Sequence, residues 1–248
     1  HVRRSAQVRI EASGEVCVVS GDYKLAYDPT CTPFEPVRCH TFVTEATFAL
    51  PIYRWLPPAH VLAEIDAWWN ENAPAGRCSV LYCYALGKAQ RIVAGFAASS
   101  LSMPGPLLVH GAIDTLNRVY REAGVDLPPT AHATGFSDRA LLARALVLAP
   151  PSASGTPWPR RFGDHASAFA SGWMQVRGAR RQRRGGRGFV LCGQGDWAGL
   201  LPAGTPLNAV TTPFSCVPAS VVTIELPAPT TESGQAARAP AAVMQACA

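Results

Sequence analysis

The sequence predicts an α/β protein, and three observations carry that prediction. Residues 6–20 alternate apolar and polar side chains on both sides of Ser13-Gly14, which is the pattern of two strands around a turn. From Pro57 to Asn72 the period changes, and Val61, Leu62, Ile65, Trp68 and Trp69 recur at helical spacing behind Pro57 and Pro58. Beyond that, short apolar runs alternate with helical segments, which is the order expected of a mainly parallel sheet.

Taken in order, the elements are these. Asp28 to Pro36 reads as a proline-containing loop, and Arg38 to Phe48 contains the next strand. Cys78 to Tyr84 is a short apolar strand and Lys88 to Phe96 a helix. Leu107 to His110 is a strand, Ala112 to Ala123 a helix, and Leu141 to Leu148 contains another buried strand. A boundary falls near Leu50, where the strand-rich segment gives way to alternating strands and helices. After Ala203 the character changes again. Glu225, Glu232 and Arg238 are the only charged residues there, and prolines recur. The β-branched run Val221, Val222, Thr223 and Ile224 makes one strand; the rest reads as a weakly structured tail.

Composition bounds the function. At 48% hydrophobic and 16% charged residues the chain has ample material for a core. No apolar run is long enough to span a membrane, so no membrane partner is expected. A net charge of +5 suits a polyanionic partner without requiring one. The basic residues are arginines except for Lys24 and Lys88. The eight cysteines form no Cys-x-x-Cys pair, and reduced buried thiols in a cytoplasmic protein are the expectation. The chain opens on His1 rather than Met and is expected to be a fragment.

Two apolar runs stop at carboxylates. Val18-Val19-Ser20-Gly21 leads to Asp22, and Phe42-Val43-Thr44 leads to Glu45, about twenty residues later. A strand buried on both faces does not keep a bare carboxylate. Acids at strand ends therefore gather on the rim of a sheet, where a metal or an active site can use them. His1, just ahead of the first strand, is a candidate for the same site. The competing reading is two unrelated surface acids. Gly87-Lys88 lacks the remainder of a phosphate-binding P-loop. At a strand-to-helix junction, however, Ala85 to Gln90 can present backbone N–H groups and one cation to a phosphate. The plain alternative is a helix start with a solvated lysine. Arg177, Arg180, Arg181, Arg183, Arg184 and Arg187 read as a basic hairpin loop. It is either a solvated turn or a surface for the nucleic-acid backbone. His110 and His165 are better explained as packed or capping residues than as catalytic ones, and His40, His60 and His132 have no ligand partner nearby in sequence.

The ordered blocks His1–Val8, Val18–Tyr23, Thr44–Phe48, Tyr84–Gln90, Arg161–His165 and Ala170–Met174 resemble the metallo-β-lactamase/β-CASP nucleases. Within that superfamily they are most similar to the bacterial ligase-associated DNA exonucleases, also described as mRNA 3′-end processing factor-like proteins. The similarity runs from His1 to about Leu201. It implies an α/β fold in which a β-CASP domain, residues 51–185, is inserted into an αββα metallo-β-lactamase sandwich. Residues 1–50 would be what remains of the sandwich domain, and residues 186–248 the return to it, ending in the divergent tail. It implies a hydrolase that cuts DNA or RNA in DNA repair, beside an ATP-dependent DNA ligase, with two zinc or manganese ions as cofactors. His1 would be a metal ligand and Asp22 a carboxylate bridging two metals. Glu45 would be the acid that hydrogen-bonds a catalytic His. Lys88, Arg180, Arg181, Arg183 and Arg184 would contact the nucleic acid.

The departures are specific. The family's His-x-His-x-Asp-His run would lie before His1. Its Ser-Asp-His-Ala-Asp-Trp block reads Cys192-Gly193-Gln194-Gly195-Asp196-Trp197, so Gln194 stands at the catalytic His position. Glutamine can hydrogen-bond Glu45 but carries no titratable proton. The final Thr-His-Gly block has only a faint echo in Val210-Thr211-Thr212. An impaired enzyme is therefore expected. A non-catalytic nucleic-acid-binding protein and a non-functional gene remnant are the alternatives.

Overall fold

A computed structural model describes residues 5–35, 37, 39, 41–45, 47–48, 50–176 and 187–195, together with the strand segments 210–212, 219–225 and 241–247. Strands β1 (Gln7–Ala12) and β2 (Glu15–Ser20) form an antiparallel hairpin closed by Ala12 opposite Glu15. Its two turn residues, Ser13 and Gly14, have φ of 53° and 80°. That pair of positive values is what a tight two-residue hairpin turn requires, and Gly14 meets it without strain. Strand β3 (Thr41–Glu45) lies parallel to β2, with Val19 opposite Val43.

Helix α1 (Pro58–Asn72) starts behind Pro57 with a proline in its first turn, where the missing N–H removes no bond. It buries Val61, Leu62, Ile65, Trp68 and Trp69, the residues whose spacing predicts it. There follow β4 (Cys78–Tyr82), α2 (Lys88–Ala97), β5 (Leu107–Val109), α3 (Gly111–Glu122), β6 (Ala131–His132), α4 (Arg139–Leu142), β7 (Leu146–Ala149), β8 (His165–Ala170) and β9 (Arg187–Phe189). These six strands form one sheet in the order β6-β5-β7-β4-β8-β9, and every pairing is parallel. Both faces are covered. Leu81, Leu146, Leu148 and Ala168 pack toward α1, α2 and α3 with Trp69, Ile92, Phe96 and Ile113. Val80, Tyr82, Val147 and Phe169 pack on the other side with Leu142, Phe162 and Met174. A parallel sheet covered on both faces gives continuous apolar strands rather than alternating ones, as Cys78–Tyr82 shows.

The remaining strands, β10 (Val210–Thr212), β11 (Ala219–Glu225) and β12 (Ala241–Cys247), join the first three in a second sheet ordered β1-β2-β3-β12-β11-β10. β12 is parallel to β3 and antiparallel to β11.

Two expectations are corrected, and a third, the buried strand within Leu141–Leu148, holds with narrower bounds. The strand expected within Leu141–Leu148 begins only at Leu146, because Asp138 caps a helical turn, accepting from Leu141 N at 3.0 Å. The arginine-rich segment does not join the two arms of a β8–β9 hairpin, because those strands pair in parallel; residues 177–186 themselves lie outside the described residues. The tail beyond Ala203 supplies three strands, not one, and β12 sits inside the sheet. No helix among the described residues is long and apolar enough to cross a membrane.

Candidate functional site

The order of the parallel sheet picks out one place. β4 lies between β7 and β8. The chain leaves β4 toward β5 on one side and leaves β8 toward β9 on the other. Where connections diverge from adjacent strands, a crevice opens beyond their carboxyl ends. The blocks Tyr84–Gln90 and Ser171–Met174 follow β4 and β8 at that point.

The β4–α2 connection is tightly specified. Gly87 has φ of 84°, which glycine alone adopts without cost. Fully buried Gln90 accepts from Gly87 N at 2.7 Å and donates to Ala85 O at 3.0 Å and to Asn117 Oδ1 at 2.8 Å. Ala89 N donates to Tyr84 O at 3.2 Å. Lys88 is buried, with Nζ 4.5 Å from the centroid of the Tyr84 ring. Burial pulls its pKa down and Arg91 adds to this, while Cys192, Cys83 and Asp22 oppose it. On the β8 side Gly172 lies so close to its neighbours that a Cβ there would stand 2.9 Å from Cys192 Sγ and 3.0 Å from Phe48 Cζ. The Ser171-Gly172-Trp173 sequence thus seats the segment after β9 against the one after β3.

Three segments meet here. Arg91 on α2 donates from Nε to Asp28 Oδ2, in the loop after β2, and from Nη1 to Cys192 O, after β9, at 2.7 Å. Asp28 Oδ1 also accepts from Thr30 N at 3.0 Å and Thr30 Oγ1 at 2.7 Å. Burial alone would raise the Asp28 pKa, but Arg91 and the Thr30 hydrogen bonds outweigh it and hold the carboxyl below the usual range. Gly195 N donates to Tyr23 O at 3.0 Å and Trp55 Nε1 to Gln194 O at 3.1 Å. A cavity of about 250 Å³ opens at this junction, walled by Trp55, Leu56, Pro57 and Leu191 and lined also by Lys24 and Gln194. Lys24 has its pKa lowered by burial and then by Arg91. Lys24, Lys88 and Arg91 set three cations against the two carboxylates Asp22 and Asp28.

The sequence-derived candidates fall as follows. Asp22 is half-buried just past β2, its charge felt by Lys88, and its carbonyl accepts from Ser5 Oγ at 3.0 Å. Glu45 ends β3; its backbone stands at the same rim as Gly21-Asp22 because β2 and β3 run parallel in the Val19–Val43 register. The Glu45 side chain lies outside the described residues, as do His1, Arg180, Arg181, Arg183 and Arg184. Gln194 is half-buried, with Oε1 4.0 Å from Cys192 Sγ. Asp22, Lys88 and the Cys192–Gly195 segment are therefore neighbours. Lys24, Asp28, Arg91 and Trp55 are additions that no local motif announces.

The two-metal centre implied by the resemblance draws on residues that are only partly described. Among the described residues no three His, Cys, Asp or Glu side chains gather closely enough to hold an ion. Asp22 shares its surroundings with an ammonium group, and burial pushes the Cys192 thiol up, away from a metal-binding thiolate. Asp22 is the one candidate metal ligand whose side chain is among the described residues; His1 and the Glu45 side chain lie outside them.

His110 is an N-cap rather than a ligand. Its Nδ1 accepts from Ala112 N at 3.1 Å at the start of α3, and its ring lies 4.7 Å from that of Trp158. Burial, followed by His132 and Arg161, lowers its pKa. The folded state therefore binds this proton less readily than the unfolded chain, so stability is complete above the ordinary histidine range and declines as pH falls through it, about 6.5. His110→Asn keeps an acceptor at the cap without a titrating group. Thermal melts are expected to show the wild-type Tm falling between neutral and mildly acid pH more steeply than the Asn variant; parallel curves would count against this cap.

Fold and site together define an α/β protein with a six-stranded parallel sheet and, beyond its carboxyl edge, a junction where three cations face two carboxylates. No family model matches the chain. A stretch of 202 residues, 81% of the chain, is 28% identical to a protein of Opitutus terrae (strain DSM 11246 / JCM 15787 / PB90-1) named "Probable DNA ligase". That match covers 19% of the relative, so the chain spans about a fifth of the length of the curated relative it matches.

Proposed function

We propose that this chain is part of a ligase-associated phosphodiester hydrolase of the metallo-β-lactamase/β-CASP type, and that its described residues form the wall that grips the nucleic acid. The observation that carries the reading is the junction that brings Lys24 and Gln194 to one cavity and sets Lys88 close to Asp22 and Cys192. With Arg91 neutralised by Asp28, Lys24 is the cation at the cavity wall, and a cation in an apolar-walled cleft attracts a polyanion. The relative named as a DNA ligase supports DNA as that polyanion and joining of strands as the setting. RNA remains the second substrate. In this reading residues 1–50 and 186–248 belong to the sandwich domain and residues 51–185 to the β-CASP domain, with Asp22, Glu45 and Gln194 as the remnant of the hydrolytic centre and His1 as an outlying zinc or manganese ligand.

Gln194, at the position where the resemblance expects the catalytic His, favours a second role, that of a binder that does not cut. Gln194 can hold a hydrogen bond where an imidazole would pass a proton, a step that contributes about 10²–10⁴-fold in acid–base catalysis. The chain as it stands is expected to bind single-stranded and duplex DNA in a salt-dependent way and to degrade neither with added Zn²⁺ or Mn²⁺. Lys24→Ala should weaken binding. Replacing Arg180, Arg181, Arg183 and Arg184 with Ala should flatten the log–log salt dependence by about 0.9 for each duplex phosphate that is no longer neutralised. Anisotropy titrations across a salt series measure both. Metal-dependent degradation that disappears in Asp22→Ala would overturn the non-cutting role, and an absence of any DNA or RNA binding would overturn the whole reading.

A further inference from the structure

The β4–α2 connection holds two large apolar side chains out of the core: Tyr84 is 45% exposed and Leu86 48%. A single exposed aromatic is ordinary. Tyr84 differs in three respects. It stands between β4 and α2, at the point where the connections of the sheet diverge. Its loop is fixed by a fully buried amide, Gln90, which ties Gly87 N and Ala85 O to Asn117. Its ring is backed by a cation, because Lys88 Nζ lies 4.5 Å from the ring centroid and Lys88 itself is buried and cannot swing away. A rigid, charge-backed aromatic has the attributes of a stacking surface for a flat π-system, whose orientation costs little because the loop is already ordered.

We propose that Tyr84 is a stacking platform for one unpaired nucleobase, so that this cleft takes single-stranded or frayed nucleic-acid ends in preference to closed duplex. The proposal rests on the nucleic-acid reading above and adds the substrate class. Bases inside a duplex are stacked on both faces and offer none to Tyr84, whereas an unpaired base at a strand end has one free. Stacking is indifferent to base identity, so little sequence preference is expected.

The test uses the full chain, a deoxythymidine oligonucleotide, a relaxed covalently closed circular duplex, and a single strand carrying 2-aminopurine near its end. Wild type and Tyr84→Phe should bind the single strand alike and quench the 2-aminopurine. Tyr84→Ala should lose about five- to a hundredfold in single-strand affinity. It should keep its duplex affinity and its salt slope, and should leave the 2-aminopurine bright. A charge-holding or merely structural role for Tyr84 would instead move the duplex affinity or the slope. Undiminished single-strand binding by Tyr84→Ala, or equal quenching by it and wild type, overturns the platform and leaves the nucleic-acid reading standing. If Tyr84→Ala does not fold, absence of quenching by wild type and Tyr84→Phe overturns it equally. Failure of wild type to bind any of the three probes overturns both.

Discussion

Asp28→Ala is expected to destabilise the protein by about 3–5 kcal/mol, the range for breaking one side of a buried ion pair. The Asp28 and Arg91 side chains are only 5% and 6% exposed. Truncating the carboxylate leaves a guanidinium buried with one remaining described acceptor, Cys192 O. It also strands Thr30, whose N–H and hydroxyl both donate to Asp28 Oδ1. The pair joins the loop after β2, helix α2 and the segment after β9, so the damage falls on the junction that shapes the cleft. The double variant Asp28→Ala/Arg91→Met should recover most of the deficit, because an apolar replacement removes the uncompensated charge. Urea titration of the two single variants and the double closes the cycle. A single-variant effect below about 1 kcal/mol would place the pair with exposed ion pairs and contradict its burial. The same pairing sets a pH signature. The Asp28 pKa is depressed on folding, so its contribution is complete above the ordinary aspartate value, about 3.9, and is lost as pH falls through the folded value.

What was legible in the sequence was whatever a local rule controls. Ser13-Gly14 announces the β1–β2 hairpin because positive φ is a property of the turn itself. Trp68 and Trp69 fall on the helical stripe that α1 buries. Lys88 can be placed at a helix start because Gly87 precedes it. What was not legible depends on partners distant in the chain. The direction of β9 escapes because glycines and arginines signal a turn but not which way the next strand runs. β12, Ala241–Cys247, is Ala-rich and has little strand propensity of its own; its place between β3 and β11 is set by those neighbours. Leu141 and Leu142 extend the apolar run ahead of β7, and only the Asp138 cap separates helix from strand. In the site, Asp28 and Arg91 are 63 residues apart, and nothing in either local sequence announces the other. Lys24 looks like an ordinary surface lysine until Trp55 and Leu191 are brought round it.

Gln90→Leu is the variant expected to separate shape from charge in the cleft. Leucine matches the volume of the buried amide but satisfies none of its partners. Gly87 N loses its acceptor, and Ala85 O and Asn117 Oδ1 lose a donor. A stranded buried group costs about 1–3 kcal/mol, and these three share one loop, so a total on the order of 3 kcal/mol is expected. Gln90→Glu should be worse, although it is closer in shape. A carboxylate still accepts from Gly87 N, but it turns an acceptor toward Ala85 O and Asn117 Oδ1 and carries a charge that the site has no room to hydrate. Both changes leave every cation of the cleft in the sequence. Measured at a temperature where Gln90→Leu remains folded, the salt dependence of DNA binding should therefore stay near wild type while single-strand affinity falls, because the loop carrying Tyr84 and Lys88 is no longer held. Hydrogen exchange at Gly87 should quicken in the same variant. If Gln90→Leu proves as stable as wild type, or if Gln90→Glu is the milder change, the amide is not what holds the β4–α2 connection, and the rigidity on which a preformed binding surface depends must come from elsewhere in α2.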